Sequence, residues 1–161
     1  MEEAFRPYLT YLKDLCRGLE KLSALAEEKI AAVNQDDLMA LNDVLNREQA
    51  MSLSFRGLEQ TRARLQKELG LEGVPLSQLP NRCPPALSGE VREAAVALRT
   101  QHLRYQKVAA AARNLLEKNL REIEGTITSL GGTLEEADLG PGYLGPEGPQ
   151  PPKSMKTDFR A

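Results

Sequence analysis

The chain has 161 residues, of which 41% are hydrophobic and 4% aromatic, and its formal net charge is −2. This charge argues against a nucleic-acid-binding protein, because phosphate contacts need a basic surface. No apolar run reaches the roughly 18 residues of a membrane-spanning helix, and no secretory signal is visible, so we expect a cytoplasmic protein. So few aromatic residues suit a thin helical bundle.

Prolines divide the chain, because a proline costs about 3 kcal/mol inside a helix. The windows 8–74 and 86–140 contain none. We therefore predict helices at about 3–33, 35–69 and 88–130.

The first helix carries apolar or small residues at alternating steps of three and four, which is a coiled-coil seam. Leu15, Leu22 and Leu25 widen this stripe, so the helix is predicted to contact two partners. Asp36 and Asp37 favour the start of the next helix. The seam residues are Leu9, Leu12, Cys16, Leu19, Ser23, Ala26, Ile30 and Val33.

The second helix repeats the seam pattern, and Gly70 is its expected end. Two charged residues, Glu48 and Arg62, interrupt this seam. Either they lie at the seam edge with their charged ends in water, or they form a buried polar contact that fixes helix register. The seam comprises Leu41, Val44, Glu48, Met51, Phe55, Leu58, Arg62, Leu65 and Leu69.

Residues 71–87 contain four prolines and are predicted to form a connecting loop. Its apolar residues are expected to pack on one end of the bundle, and Ser88 is a plausible cap for the third helix. The apolar residues of this loop are Leu71, Val74, Leu76 and Leu79.

The third helix is predicted to be about 15 Å longer than the other two, at 1.5 Å per residue. Its last turns are rich in branched apolar residues. These residues form either ordinary bundle core or a stripe that accepts an amphipathic partner helix. They are Leu115, Leu116, Leu120, Ile123, Ile127 and Leu130.

Residues 131–161 hold six of the twelve glycines and five of the ten prolines. Such a segment buries too little apolar surface to offset the entropy of ordering it. We therefore predict an all-α protein: an elongated antiparallel three-helix bundle or coiled coil over residues 1–130, followed by a flexible tail. Tyr143, in the tail, is either incidental or a docking residue.

Enzyme chemistry has no visible basis in the sequence. His102 is the only histidine, and Cys16 and Cys83 have no metal-ligand spacing, so all three are expected to be structural. Adjacent acids such as Glu27 and Glu28 diverge around a helix and form no catalytic pair. We expect no cofactor and no metal.

Three stretches resemble the FlgN family of flagellar export chaperones: "NQDDLMALNDVLNREQAMSLSFRGLEQTRARLQKELG" (34–70), "AARNLLEKNLREIEGTITSL" (111–130) and "GYLGPEG" (142–148). The resemblance implies a cytoplasmic chaperone without ATPase activity. It would bind the C-terminal helices of hook–filament junction proteins, prevent their premature assembly and deliver them to the export gate.

The same resemblance implies roles for particular residues. The substrate stripe would comprise Leu115, Leu116, Leu120, Ile123 and Ile127, and Tyr143 would dock to the cytoplasmic domain of the export gate. A structural coiled-coil homodimer or adaptor without chaperone activity stays open as the alternative, and so does weak homo-oligomerisation of a chaperone.

Overall fold

The computed structural model describes residues 1–131, and this part of the chain is helical with no strand. Its helices are α1 (Glu2–Asn34), α2 (Leu38–Leu69), the short α3 (Leu79–Arg82) and α4 (Ser88–Ser129). The prediction of an all-α protein is confirmed. Residues 132–161, which contain Tyr143, lie outside the described part.

Helices α1 and α2 form an antiparallel hairpin, as two contacts show. One contact joins the start of α1 to the end of α2, and the other joins the end of α1 to the first half of α2. Gln66 donates a hydrogen bond of 3.2 Å to the hydroxyl of Tyr8 at one end. At the other end Arg47 forms an ion pair with Glu28. The three residues between Asn34 and Leu38 form the turn, which we call the hairpin tip.

Helix α4 runs parallel to α1. Nζ of Lys13 lies 3.5 Å from Oε2 of Glu90, and Oε1 of Glu27 lies 2.9 Å from Nη2 of Arg104. Residue numbers therefore increase in the same direction along both helices. Helix α1 packs along both long partners, whereas the backbones of α2 and α4 approach each other at few points. This arrangement explains the broad apolar stripe on α1.

Local chemistry accounts for both ends of α2. The carboxylate of Asp37 accepts a hydrogen bond of 3.0 Å from the backbone N–H of Ala40, which caps the helix. Gly70 ends the helix with φ of 66°, a left-handed conformation that glycine adopts without a Cβ clash. The predicted start at residue 35 is three residues early, because residues 35–37 form the tip.

The segment between α2 and α4 is not a plain loop. Two single 3₁₀ turns, Leu76–Gln78 and Pro85–Leu87, flank α3. The predicted packing of its apolar residues is confirmed: Leu71, Leu76 and Leu79 are buried and Val74 packs against them. The expected cap at Ser88 is wrong, because Ser88 is the first residue of α4 and no side chain caps this helix. The Ser88 hydroxyl instead donates to the carbonyl of Pro80 at 3.2 Å.

The hydrophobic interior is divided into two clusters. The larger one, called the basal cluster, fills the bundle from the segment after α2 up to Leu22, Phe55 and Leu98. The smaller one, the tip cluster, consists of buried residues from the ends of α1 and α2 with half-buried neighbours from α2 and α4. Its members are Ala32, Val33 and Leu41, with Ala40, Leu45, Leu115 and Leu116 packed against them.

Candidate partner-helix site

Helix α4 extends past the end of the α1–α2 hairpin. It has 42 residues, against 33 in α1 and 32 in α2. Glu27 lies beside Arg104, and Asn34 follows Glu27 by seven residues, so α1 ends at the level of residue 111 of α4. Residues 112–129, about 27 Å of helix, therefore continue beyond α1.

The apolar residues of this extension continue the face that α4 buries lower down. Val91 and Leu98 are fully buried against the hairpin, and Ala112 is also buried. Beyond them Leu116, Leu120, Ile123, Ile127 and Leu130 follow steps of four, three, four and three, which keeps them on one side of the helix. The bundle-facing stripe thus extends past the bundle.

The structure divides the six predicted stripe residues into two groups. Leu115 and Leu116 are half-buried against the hairpin tip, as members of the tip cluster. Leu120, Ile123 and Ile127 are half-buried and belong to neither cluster of the described chain, and Leu130 is 82% exposed. The inner two residues thus act as bundle core, and we call the outer four, Leu120, Ile123, Ile127 and Leu130, the distal stripe.

The two polar seam residues have different surroundings. Glu48 is buried and its Oε1 lies 2.7 Å from Nζ of Lys29 on α1. Burial raises the pKa of Glu48, although the bond to Lys29 opposes this shift. Arg62 is half-buried and pairs within its own helix, with Glu59 and Gln66.

Sequence reasoning did not single out Lys29. A signal existed, because Lys29 follows Leu15 and Leu22 at steps of seven residues on the second face of α1. A lysine in that series, facing a helix with an unexplained seam glutamate, points to an ion pair between the two helices.

The remaining candidate side chains are those of His102, Cys16 and Cys83. Half-burial lowers the pKa of His102, and burial raises the pKa of the Cys16 thiol, which reduces its thiolate fraction. Cys83 donates to the carbonyl of Pro80 at 3.2 Å. Residues 1–131 contain no group of side chains that could hold a metal ion.

Among residues 1–131, no helix is long and apolar enough to cross a membrane. What this part of the chain offers is a thin helical bundle whose longest helix presents an apolar stripe beyond its partners. These features define the class of the protein as an all-α bundle with one helix longer than its partners.

The sequence matches the FlgN protein family over residues 6–138, and the chain therefore belongs to the FlgN family of flagellar export chaperones. Searches among curated proteins and solved structures found no match. Membership makes the chain, at family level, an export chaperone that binds flagellar substrate proteins. FlgN is a chaperone family and not an enzyme family.

Proposed function

We propose that the protein is a cytoplasmic chaperone that binds the C-terminal helices of hook–filament junction proteins and prevents their premature assembly. The observation that supports this proposal is the distal stripe, since it prolongs the buried face of α4 beyond the hairpin. A substrate helix placed there takes the position that α1 holds lower in the bundle.

Binding at the distal stripe would be moderate in strength. Fully burying one Leu or Ile side chain contributes about 1.5–3 kcal/mol, but association and helix ordering in the partner offset much of the total. A chaperone that delivers its substrate must also release it. Four apolar contacts on one helix are consistent with both requirements.

Delivery is proposed to use Tyr143, which the resemblance assigns to docking at the cytoplasmic domain of the export gate. Tyr143 lies outside the described residues. One aromatic side chain supplies a large contact area at low entropic cost, which suits a transient contact.

The substrate-binding proposal is tested by calorimetry with the C-terminal helical segment of a junction protein. The Ile123→Asp/Ile127→Asp variant is expected to lose binding, because two carboxylates would enter the apolar contact. Val96→Asp/Leu103→Asp is the matched control, because these residues of the same helix are 62% and 51% exposed. Equal binding by wild type and the stripe variant would refute the proposal.

The delivery proposal needs a separate experiment. Tyr143→Ala is expected to retain junction-protein binding and to lose association with the cytoplasmic domain of the export gate, whereas Tyr143→Phe keeps most of the contact area and the association. If Tyr143→Ala keeps both interactions, Tyr143 is not the docking residue.

A further inference from the structure

The distal stripe has two polar edges of different charge. Leu120 and Ile127 occupy one seam position of a heptad, and Leu116, Ile123 and Leu130 occupy the other. The residues that flank this seam are Glu117 and Glu124 on one side, and Asn119 and Thr126 on the other. One edge is therefore acidic at both positions, and the opposite edge is uncharged.

The two carboxylates of the acidic edge are available to a partner. Glu117 and Glu124 are exposed, and none of the ion pairs found in residues 1–131 uses either one. Lys118 occupies a heptad position on the outer side of α4, whereas Arg121 lies beside the acidic edge, four residues after Glu117 and three before Glu124. Arg121 donates a hydrogen bond of 3.4 Å to the backbone carbonyl of Glu117, and the ion pairs of residues 1–131 do not join it to either carboxylate.

In coiled coils, charges at these flanking positions decide which helices pair and in which orientation. We propose that the edge formed by Glu117 and Glu124 makes the chaperone prefer substrate helices that carry Lys or Arg beside their apolar seam. This inference rests on the proposed binding at the distal stripe and names the chemistry of the helix that binds there.

A second copy of this chain, paired through its distal stripe, offers no positive charge to the acidic edge formed by Glu117 and Glu124. In an antiparallel pairing of two distal stripes, Glu117 and Glu124 would face the same two glutamates, which repel. In a parallel pairing they would face Asn119 and Thr126, which carry no positive charge. A partner helix with a basic edge is the better complement in either orientation.

The test uses the full chain and three synthetic peptides of about three heptads, because the stripe itself spans fewer turns than that. The peptides share one Ile/Leu seam and differ only at the flanking positions, which are all Lys, all Gln or all Glu. Fluorescence anisotropy gives the affinities at low and high salt. We expect the Lys peptide to bind about fivefold tighter than the Glu peptide at low salt, and the difference to shrink at high salt.

Charge reversal provides the decisive variant. Glu117→Lys/Glu124→Lys is expected to prefer the Glu peptide, whereas Glu122→Lys, on the outer side of the helix, keeps the wild-type preference. If wild type binds all three peptides equally and Ile123→Asp/Ile127→Asp abolishes that binding, the charge preference is wrong and the binding site stands. If the full chain binds no peptide, the charge preference and the helix-binding site are both wrong.

Sedimentation of the peptide-free protein addresses the second copy directly. A concentration-dependent dimer that Ile123→Asp dissociates would show that another copy occupies the stripe, and this result would overturn the inference. A monomer at all concentrations supports it.

Discussion

Nζ of Lys29 lies 2.7 Å from Oε1 of Glu48, and the two side chains are only 10% and 9% exposed. The pair lies between the basal and tip clusters. Among the described residues Oε2 of Glu48 has no hydrogen-bond partner, so the carboxylate is incompletely satisfied. Burial raises the pKa of the nearby Tyr105, and the charge of Glu48 adds to this rise.

A buried ion pair of this kind is expected to fix register more than to add stability, since desolvation offsets much of the attraction. Lys29→Met leaves Glu48 buried without its partner and should cost about 3–5 kcal/mol in the free energy of unfolding. The double variant Lys29→Met/Glu48→Met should recover most of that loss. Urea unfolding followed by circular dichroism measures both, and an equally unstable double variant would contradict this account.

The protonation of Glu48 should give stability a measurable pH dependence. Because its pKa in the folded protein lies above the ordinary value of 4.5, the folded state holds this proton more tightly than the unfolded state. The contribution of Glu48 protonation to the free energy of unfolding is therefore greatest at low pH and declines as pH rises from 4.5 through the raised pKa. The stability of wild type relative to Glu48→Gln should increase as pH falls from about 7 towards this range.

The same pH experiment can be carried out in the Lys29→Met variant. Lys29 lowers the pKa of Glu48, so its removal should raise that pKa further and widen the pH range over which stability changes. The free energy of unfolding can be compared between the proteins with Glu48 and with Glu48→Gln, in the presence and in the absence of Lys29. If this difference stays constant with pH in both cases, burial does not shift the pKa of Glu48.

Close packing of α1 and α2 depends on Gly18. A Cβ placed at Gly18 would lie 2.9 Å from Cζ of Phe55, and Phe55 is almost fully buried and has little room to move. Gly18→Ala should therefore destabilise the protein by about 1–3 kcal/mol through overpacking.

Gly57 provides the matched control for this substitution. It lies within α2 and a Cβ there would meet nothing within 4 Å, so Gly57→Ala should stabilise by about 0.5–1 kcal/mol through helix propensity alone. Thermal unfolding of both variants gives the comparison. Stabilisation by Gly18→Ala would mean that the two helices separate at little cost.

The sequence was sufficient for the fold class, because the steps of three and four identify helix faces without any knowledge of their partners. It also located the end of α2, since Gly70 has a local conformational role. Ser88 shows the limit of local rules: its hydroxyl had a tertiary acceptor, the carbonyl of Pro80, which no local pattern reveals.

The apolar stripe on α4 could be located from the sequence, but the length of the stripe that the hairpin leaves uncovered could not. Residues 115–130 could be read as an apolar stripe, yet the sequence could not show where the hairpin tip would stop covering it. That boundary depends on how α1 and α4 align. The alignment is visible only in contacts such as Glu27 with Arg104, and it assigns Leu115 and Leu116 to the bundle.

The division of the stripe predicts how each residue contributes to stability. Leu98→Ala should cost about 2–5 kcal/mol, because Leu98 is fully buried in the basal cluster. Leu116→Ala should cost less, since Leu116 is only half-buried against the tip. Ile123→Ala should stay within about 0.5 kcal/mol of wild type, because Ile123 packs in neither cluster and alanine favours the helix.

Urea unfolding of these three variants, combined with substrate-binding measurements, separates folding from binding. Ile123→Ala is expected to weaken binding of the junction-protein segment while leaving the unfolding midpoint almost unchanged, and Leu98→Ala is expected to do the reverse at temperatures where it stays folded. A large loss of stability in Ile123→Ala would show that the distal stripe is part of the folded core. In that case the stripe would not be free to accept a substrate helix.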